Sequence, residues 1–417
     1  MSPAPAVGDP ARPGALGHVR VLDLSRVLAG PWCSQVLADL GAEVIKVERP
    51  GSGDDTRSWG PPYLRDRSGR ETSESAYFLS ANRGKKSVTI DIARPEGQAL
   101  VRRLAAASDV LLENFKVGTM ARLGLGWEDL SRLNPRLVYC SISGFGQTGP
   151  YRQRAGYDFL VQGMGGLMSI TGEPDGVPGG GPVKVGVAIA DILTGMYAAT
   201  AVLAALAQRE RSGLGQQVDL ALLDVQVAML ANQAMNHLVT GQPPGRLGNA
   251  HPNIVPYQAF RTARGHLILA VGNDGQFARF CEVAGRPELA RDERFASNAG
   301  RVRHRAALVP IVEAILAGRP AAEWIEALER AGVPCGPIND LAQVFADPQV
   351  RHRQMKIDVP HPLAGTAPLV ASPIRLSGAP ATPPAPPPLL GEHTREVLLG
   401  LGLGGAEISS LQEKGVV

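Results

Sequence analysis

The sequence predicts an α/β protein with a doubly wound parallel sheet in a large domain and a smaller α+β domain beside it in the chain. Strand, helix and strand follow one another twice in the N-terminal part, and this order is typical of a parallel sheet. A Gly/Pro/Asn-rich loop and a hairpin pattern later in the chain indicate the second domain. The length of 417 residues is sufficient for both.

The elements of the large domain are predicted from apolar runs and from the residues that end them. Continuous apolar runs indicate strands that are buried on both faces, and Gly41 ends the first helix. Ligand sites are expected at the carboxyl ends of such strands. In chain order the predictions are strand His18–Leu24, helix Trp32–Leu40, strand Glu43–Glu48, strand Ser87–Ile92, helix Pro95–Ala107, strand Asp109–Glu113 and strand Leu137–Ile142.

The second half of the chain has a different order of predicted elements. An extended segment and two long helices come first, and a loop, a hairpin and three further helices follow. From Pro334 the chain is Pro-rich and is predicted to return to the large domain. The predictions are extended Val183–Ala190, helices Ile192–Gln208 and Leu222–Thr240, loop Gln242–Pro256, strands Ala259–Thr262 and His266–Val271, and helices Gly275–Val283, Arg303–Leu316 and Ala321–Ala331.

These patterns divide the chain into five parts. We expect a disordered tail at 1–17, a large domain at 18–220, a linker helix and loop at 221–246, a small α+β domain at 247–332, and a return segment at 333–417 that completes the large domain. The Pro- and Ala-rich tail lacks the features of a secretory signal. Ala188–Ala207 is apolar enough to resemble a membrane span, but its small residues favour a core helix.

Composition excludes several classes of function. The hydrophobic content of 44% and charged content of 19% are typical of a soluble globular protein. A net charge of +3 without a basic run, together with 5% aromatic residues, disfavours nucleic-acid binding. The four cysteines are widely separated, so we expect reduced thiols and a cytoplasmic location. The histidines show no metal-binding spacing, so no metal site is predicted.

Asp191 is the most informative residue of the chain. It lies between the extended segment and the long apolar helix, where unpaired backbone N–H groups and the helix dipole would favour its carboxylate form. An ionised carboxylate can act as a nucleophile. Asp is also a common N-cap residue, and position alone favours that role.

Other candidate residues follow the predicted strands. The loop Ser25–Pro31 lacks the G-x-G-x-x-G pattern, which argues against a dinucleotide-dependent dehydrogenase. Arg49 suits a phosphorylated ribose, although a solvated surface charge fits its spacing equally well. Lys85-Lys86 could meet phosphates or form a solvated edge. Asn114-Phe115-Lys116, with Arg122 beyond it, is a better candidate because it follows a strand directly.

Long ordered motifs resemble the class III CoA-transferases, the family of formyl-CoA transferase, carnitine CoA-transferase and alpha-methylacyl-CoA racemase. The resemblance covers about 95% of the chain, all except the N-terminal tail, and motifs of this length and order are specific. The matching stretches are Val21–Arg57, Asn82–Ile92, Glu113–Gly118, Leu133–Pro150, the Asp191 motif, Val333–Asp340 (VPCGPIND) and Pro386–Leu398 (PPPLLGEHTREVL).

This resemblance implies that Asp191 is the nucleophile of a CoA-transferase with aspartyl anhydride and aspartyl-CoA thioester intermediates. It also implies a Rossmann-like large domain, an interlocked homodimer, and coenzyme A bound as an acyl-CoA substrate. The implied CoA contacts are Val27, Leu28, Ala29, Arg49, Ile90, Asp91, Ile92, Asn114, Phe115, Lys116, Arg122 and Tyr157. Where formyl-CoA transferases have a further lysine before the tyrosine, this chain has Ala155.

Two segments indicate to which branch of the family the chain is most similar. The racemases have a G-H-D motif, and here Gly156-Tyr157-Asp158 lacks the histidine, which disfavours racemisation. The segment Gly248–Phe260 resembles the succinyl-CoA:glutarate CoA-transferases, which implies succinyl-CoA as donor and a dicarboxylate such as glutarate as acceptor.

Arg246 and His251 are the candidate contacts of the acceptor. Arg246 could clamp a distal carboxylate, or it could be an exposed loop residue that touches nothing. His251 could be a turn residue. The alternatives to a transferase are an acyl-CoA racemase or isomerase of the same fold and, from a different class, a non-catalytic CoA-binding protein.

Overall fold

The structure is a computed structural model that describes residues 14–379 and 385–417. Most of the predicted N-terminal tail and part of the Pro-rich run near the C-terminus therefore lie outside the described residues. Two compact units make up the chain. Unit 1 comprises the described residues up to Gly165, Gly186–Met229 and the described part of Gln349–Val417, and unit 2 comprises Gly166–Val185 and Leu230–Pro348.

The strands are short and alternate with helices. The strands are β1 Arg20–Asp23, β2 Glu43–Glu48, β3 Tyr63–Arg65, β4 Glu71–Ser75, β5 Lys85–Thr89, β6 Val110–Glu113, β7 Val138–Ser143, β8 Gln217–Ala221, β9 Tyr257–Arg261, β10 His266–Ala270, β11 Cys335–Gly336, β12 Lys356–His361 and β13 Gly365–Val370. The α-helices are α1 Ala29–Asp39, α2 Ala76–Ala81, α3 Pro95–Ala106, α4 Thr119–Arg122, α5 Trp127–Leu133, α6 Asp158–Met164, α7 Leu167–Ile170, α8 Ile189–Ser212, α9 Leu222–Ala228, α10 Ala231–Thr240, α11 Asp274–Val283, α12 Asn298–Arg303, α13 Arg305–Leu316, α14 Ala321–Arg330, α15 Leu341–Ala346, α16 Pro348–His352, α17 Thr394–Gly400 and α18 Gly405–Glu413.

Unit 1 is built on a parallel sheet with the strand order β5-β2-β1-β6-β7-β8. Every neighbouring pair in this sheet is parallel. The strand order reverses beside β1, where the loops after β1 and β6 leave the same edge of the sheet, and ligands bind at such a point in doubly wound folds. The predicted α/β class with a doubly wound, Rossmann-like sheet is confirmed.

The two faces of the sheet carry separate cores. Leu22, Ile45, Val88 and Leu111 point to the face covered by α3, α5 and the C-terminal helices. The alternate residues point to the opposite face, which α1 and α8 cover. Because both faces are buried, the strands read as continuous apolar runs rather than as alternating ones.

The first helix begins earlier than the sequence predicted. The prediction started at Trp32, whereas α1 starts at Ala29 and includes Pro31 in its first turn. A proline is tolerated there because the N–H that it lacks would have had no partner within the helix. The loop after β1 is therefore short, and the helix N-terminus lies close to the sheet edge.

Helix α8 is long and apolar, with a mean hydropathy of 1.7 over its most apolar window. Among the described residues it is the one helix whose length and composition would allow a membrane span, a test that core helices of soluble proteins also pass. Its inner face packs on α1 and β7, where Ala198, Ala199 and Val202 are buried.

Unit 2 contains an antiparallel sheet with the order β11-β10-β9. The predicted hairpin is confirmed, and its turn is closed by Thr262, whose N–H donates a hydrogen bond to the Gly265 carbonyl at 3.1 Å. Helices α11, α13 and α14 pack on this sheet around Phe277, Leu308 and Trp324, which are buried. Unit 2 therefore has its own hydrophobic core.

Candidate active site

Asp191 lies in the first turn of α8, as the third residue of the helix. The sequence placed the start of this helix at Ile192, with Asp191 as a possible N-cap. That alternative is wrong, because the N-cap residue is Ala188 and its side chain makes no capping hydrogen bond. The Asp191 side chain therefore does not cap the N-terminus of α8 and is available for another role.

The cap of α8 comes from Asp158, the first residue of α6. One oxygen of its carboxylate accepts a hydrogen bond from the N–H of Ala190 at 2.8 Å and a longer one from the N–H of Asp191 at 3.4 Å. The other oxygen accepts from the Gln162 amide at 2.7 Å. Asp158 thus satisfies helix N–H groups that would otherwise lack partners.

The electrostatics of Asp191 differ from the sequence expectation. Burial raises the pKa of its carboxyl to about 7, and the negative charge of Asp158 acts in the same direction. The expected stabilisation of the carboxylate by the helix N-terminus is therefore outweighed by desolvation. Within the described residues no donor is hydrogen bonded to the Asp191 carboxylate, which leaves its oxygens available to a substrate carbonyl carbon.

Gly195 explains how Asp191 reaches the sheet edge. A Cβ atom at this position would lie 2.7 Å from the Ala29 carbonyl oxygen and 2.9 Å from the Trp32 side chain. The absence of a side chain lets α8 pack closely on the first turn of α1. Because residues i and i+4 of a helix share one face, Asp191 lies on the face that approaches the start of α1.

A cleft of about 200 Å³ opens at this place in unit 1. Asp191 contributes to its wall, as do the loop after β1, the loop after β6 and the segment that leads into α6. Of the predicted CoA contacts, this cleft brings together Val27, Leu28, Ala29, Asn114, Phe115, Lys116 and Tyr157. Arg26, Arg152 and Arg154 add positive charge to the same wall.

A second cavity of about 440 Å³ lies alongside the cleft, and both share Arg26, Asp55 and Phe115 in their linings. Arg49, Ile90, Asp91 and Ile92, four further predicted contacts, line this cavity. The two cavities together offer a path along the carboxyl edge of the sheet toward Asp191, with mostly basic side chains in the cleft and charges of both signs in the second cavity. Such a path suits an extended anionic ligand.

The loops after β1 and β6 are fixed to each other by hydrogen bonds between the Asn114 side chain and the Arg26 backbone. The Asn114 side chain accepts from the Arg26 N–H at 2.9 Å and donates to the Arg26 carbonyl at 2.7 Å. The Arg26 guanidinium also lies 5.2 Å from the centre of the Phe115 ring. Asn114 therefore contributes by holding the loop after β1 in place as well as by lining the cleft.

Some predicted residues lie elsewhere. Arg122 ends α4, is exposed, and lines neither of the two cavities. Lys85 is fully buried against Asp23, Pro31 and Asn82, and Lys86 bridges Glu43 and Glu396. The burial of Lys85 contradicts both alternatives for it, a phosphate contact and a solvated edge, and Lys86 is paired with two carboxylates.

Sequence reasoning missed Tyr77 and Trp59. The pKa of the Tyr77 hydroxyl is raised by burial and then by the charges of Asp191 and Asp158, which shows that the phenol lies within electrostatic reach of both. Its ring contacts Trp59 edge-on, with 5.0 Å between the ring centres. Neither residue belongs to a recognisable motif, and Tyr77 comes within reach of Asp191 through the position of α2 in the fold.

The predicted acceptor contacts lie in unit 2. The Arg246 side chain is 9% exposed, forms an ion pair with Asp175, and donates to the Glu173 carbonyl at 3.1 Å. The alternative of an exposed arginine that touches nothing is therefore wrong. One guanidinium nitrogen, Nη2, contacts the Asp175 carboxylate, while Nε is used by the backbone carbonyl, so the carboxylate is held at one point rather than by the whole fork.

His251 forms part of a turn. Its Nδ1 accepts a hydrogen bond from the Asn253 N–H at 3.1 Å, and its ring lies 5.3 Å from that of Tyr257. Burial lowers the pKa of His251, and the nearby Arg305 lowers it further. At neutral pH the imidazole is therefore uncharged, and the turn accounts for its contacts within unit 2.

The arrangement in unit 1 can carry out acyl transfer. It combines a carboxylate without a hydrogen-bond donor, a cleft with positively charged walls, and the uncapped N-terminus of α1. Covalent catalysis by a carboxylate needs these features, because a nucleophile must be free to attack and the developing charge needs nearby donors. The fold and this site are those of a protein that can bind an extended anionic ligand beside a free carboxyl group.

Comparison with known proteins identifies the family. Residues 16–394 match the family model described as CoA-transferase family III. The chain belongs to this family and is an enzyme of the class III CoA-transferases, whose substrates are CoA thioesters. The resemblance deduced from its motifs is confirmed.

Two curated relatives and one solved structure are similar along nearly the whole chain. The succinate–glutarate CoA-transferase of Agrobacterium fabrum is 52% identical, with 94% of this chain and 97% of the relative covered. The human succinyl-CoA:glutarate CoA-transferase is 44% identical, with coverage of 92% and 85%. The crystal structure of a CAIB/BAIF family protein from Brucella suis is 49% identical, has a TM-score of 0.81, and is matched over 94% of this chain and 100% of its own.

Proposed function

We propose that this enzyme transfers CoA from succinyl-CoA to a dicarboxylate of the size of glutarate, with Asp191 as the nucleophile. The observation that carries the proposal is the position of Asp191, whose carboxylate has no hydrogen-bond donor among the described residues and faces a basic cleft. The names of the relatives support the choice of donor and acceptor.

The reaction proceeds in two halves. The Asp191 carboxylate attacks the thioester carbonyl of succinyl-CoA, the C–S bond breaks, and a succinyl-aspartyl anhydride and CoA thiolate form. The thiolate attacks the aspartyl carbonyl, which releases succinate and leaves an aspartyl-CoA thioester. The acceptor carboxylate then displaces CoA to give a second anhydride, and CoA thiolate attacks its acyl carbonyl to release the product thioester and restore Asp191.

The CoA moiety is proposed to lie along the two cavities. Arg49 and the Ile90–Ile92 segment would contact the nucleotide end, and the loops at Val27–Ala29 and Asn114–Lys116 would contact the remainder. Arg152 and Arg154 would supply the positive charge that formyl-CoA transferases obtain from a lysine, since Ala155 occupies that position here. These contacts suit phosphate groups, which favour arginine donors.

The acceptor clamp is assigned to Arg246, with His251 in the neighbouring turn as a further candidate. Since Arg246 pairs with Asp175, the distal carboxylate of the acceptor would take the place of the Asp175 carboxylate. Asp175 is well suited to leave, because its side chain is 87% exposed and stays hydrated whether or not the pair is formed.

A substrate panel tests this assignment. With succinyl-CoA as donor, the wild type should use glutarate at least about tenfold better than monocarboxylates of similar length. Arg246→Ala should raise KM for glutarate about 30-fold, because one charge-assisted pair is lost, and should leave monocarboxylate turnover unchanged. Initial rates over a range of acceptor concentrations measure both effects.

Asp175→Asn serves as the matched control, because it removes the competing carboxylate and leaves Arg246 in place. It should lower KM for glutarate or leave it unchanged. Equal use of monocarboxylates by the wild type would disprove the dicarboxylate assignment, whereas an unchanged glutarate preference in Arg246→Ala would disprove the clamp alone.

The assembly and location are also proposals. We infer a homodimer, which the exposed apolar side chains of a single chain support: Tyr157, Phe159, Leu238 and Val239 are between 58% and 77% exposed. Sedimentation velocity at several concentrations would contradict this if it showed a monomer throughout.

A cytoplasmic location is proposed from the four cysteines, which are all free thiols.

A further inference from the structure

Val27 has an unusual backbone conformation. Its φ angle is +69°, in the left-handed region that β-branched residues rarely adopt. Such a conformation is strained and persists when the surrounding structure enforces it. The next two residues, Leu28 and Ala29, begin α1 and line the cleft that contains Asp191. The strained peptide therefore determines how the start of α1 is presented to the cleft.

Two buried side chains enforce this conformation. Both carboxylate oxygens of Asp54 lie 3.3 Å from the Val27 N–H, which donates to them. The Lys46 ammonium lies 2.9 Å from Asp54 and donates to the Ser25 carbonyl at 2.8 Å. Lys46 and Asp54 thus hold the segment on both sides of Arg26, one at a carbonyl and the other at an N–H.

The pair is hidden from solvent and keeps its charges. The side chains of Lys46 and Asp54 are both fully buried. Burial alone would raise the pKa of Asp54, but the Lys46 charge and hydrogen bonds from Thr56 lower it to about 2. Asp54 is therefore an anion at neutral pH, and charge-assisted hydrogen bonds of this kind are stronger than neutral ones.

We propose that Asp54 is a positioning residue for CoA transfer, which acts by holding Val27 in its left-handed conformation and thereby orienting Leu28 and Ala29 beside Asp191. This role rests on the proposed function. Asp54 acts through Val27, because its own carboxylate is consumed by Lys46, Thr56 and the Val27 N–H.

A double-mutant cycle tests the proposal. Asp54→Asn should lower kcat/KM for succinyl-CoA about 10- to 100-fold in the wild-type background, mainly through kcat. In the Val27→Gly background, Asp54→Asn should lower kcat/KM less than about threefold. Glycine adopts a positive φ without strain, so this conformation no longer needs to be enforced. Circular dichroism and thermal melts establish that each variant is folded.

Asp39→Asn is the matched control. Asp39 forms a buried ion pair with Arg83 and has no hydrogen bond to Val27. Asp39→Asn should therefore change kcat/KM by the same factor in the wild-type and Val27→Gly backgrounds. An equal loss from Asp54→Asn in the two backgrounds would overturn the positioning role and leave Asp54 as a stabilising residue.

A readout without turnover separates this inference from the proposed function. Amide hydrogen exchange of the peptide that covers residues 26–29 should become at least about tenfold faster in Asp54→Asn and should not change in Asp39→Asn. Unchanged exchange in Asp54→Asn would disprove the positioning role even if the wild type proved to transfer no CoA. Absence of transfer by the wild type would instead disprove the proposed function.

Discussion

Replacement of Asp191 by asparagine is expected to reduce CoA transfer by at least roughly a thousandfold, because the amide cannot form the anhydride. The fold should be preserved, since Asp158, not Asp191, caps α8. Affinity for CoA should change little, because the residues along the two cavities remain in place. Steady-state rates and equilibrium binding of CoA measure the two effects separately, and a variant with near-normal transfer would contradict the assignment.

At alkaline pH, Asp191→Asn is expected to have a larger free energy of unfolding than the wild type. The pKa of Asp191 is raised from 3.8 to about 7 by burial and by Asp158, so the native state binds a proton that the unfolded state releases between about pH 4 and pH 7. The wild type therefore loses stability as pH rises through this range. The full difference corresponds to about 4 kcal/mol, and since the carboxyl is partly open to water we expect about 2 kcal/mol.

Chemical denaturation at two pH values measures this gain. At pH 8 the free energy of unfolding of Asp191→Asn should exceed that of the wild type, and at pH 4 the two should be equal. Lower stability of the variant at pH 8 would show that the carboxylate is stabilised by contacts that the structure does not contain.

The rate of the first half-reaction should depend on one ionisation near pH 7. Only the carboxylate form of Asp191 attacks the thioester, so kcat/KM for succinyl-CoA should fall about tenfold for each pH unit below about 7. Asp158→Asn should move the midpoint of this pH profile to lower pH, because it removes the negative charge that, after burial, raises the pKa of Asp191. The asparagine retains an oxygen that can cap α8.

Asp358→Asn provides the matched control for the pH profile. Asp358 is exposed on β12, and its replacement makes the same change of charge without affecting the profile. A rate that stays constant from pH 5.5 to pH 8, or a midpoint that does not move in Asp158→Asn, would contradict the electrostatic account of Asp191.

The parallel sheet could be predicted from sequence because its signals are local. Strands buried on both faces appear as apolar runs such as the one around Val44 and Ile45, and glycine after the first helix marks its end. The loops after these strands then meet at one sheet edge for topological reasons. The predicted CoA contacts, except Arg122, line two neighbouring cavities for the same reason.

The remaining features depend on contacts between distant residues. The start of α8 was misplaced because its cap, Asp158, lies 33 residues before Asp191 in the chain. The pKa of Asp191 was predicted in the wrong direction because burial, which no local pattern reveals, outweighs the helix N-terminus. Tyr77 was missed because it approaches Asp191 from α2, outside any motif.

Trapping of the covalent intermediate tests the central claim most directly. The enzyme is incubated with succinyl-CoA without acceptor, treated with hydroxylamine or borohydride, digested, and examined by mass spectrometry. We predict stoichiometric modification of Asp191 and none in Asp191→Asn. Exchange of the α-proton of an acyl-CoA without any adduct would favour an isomerase instead, and an adduct on a residue other than Asp191 would contradict the assignment of the nucleophile.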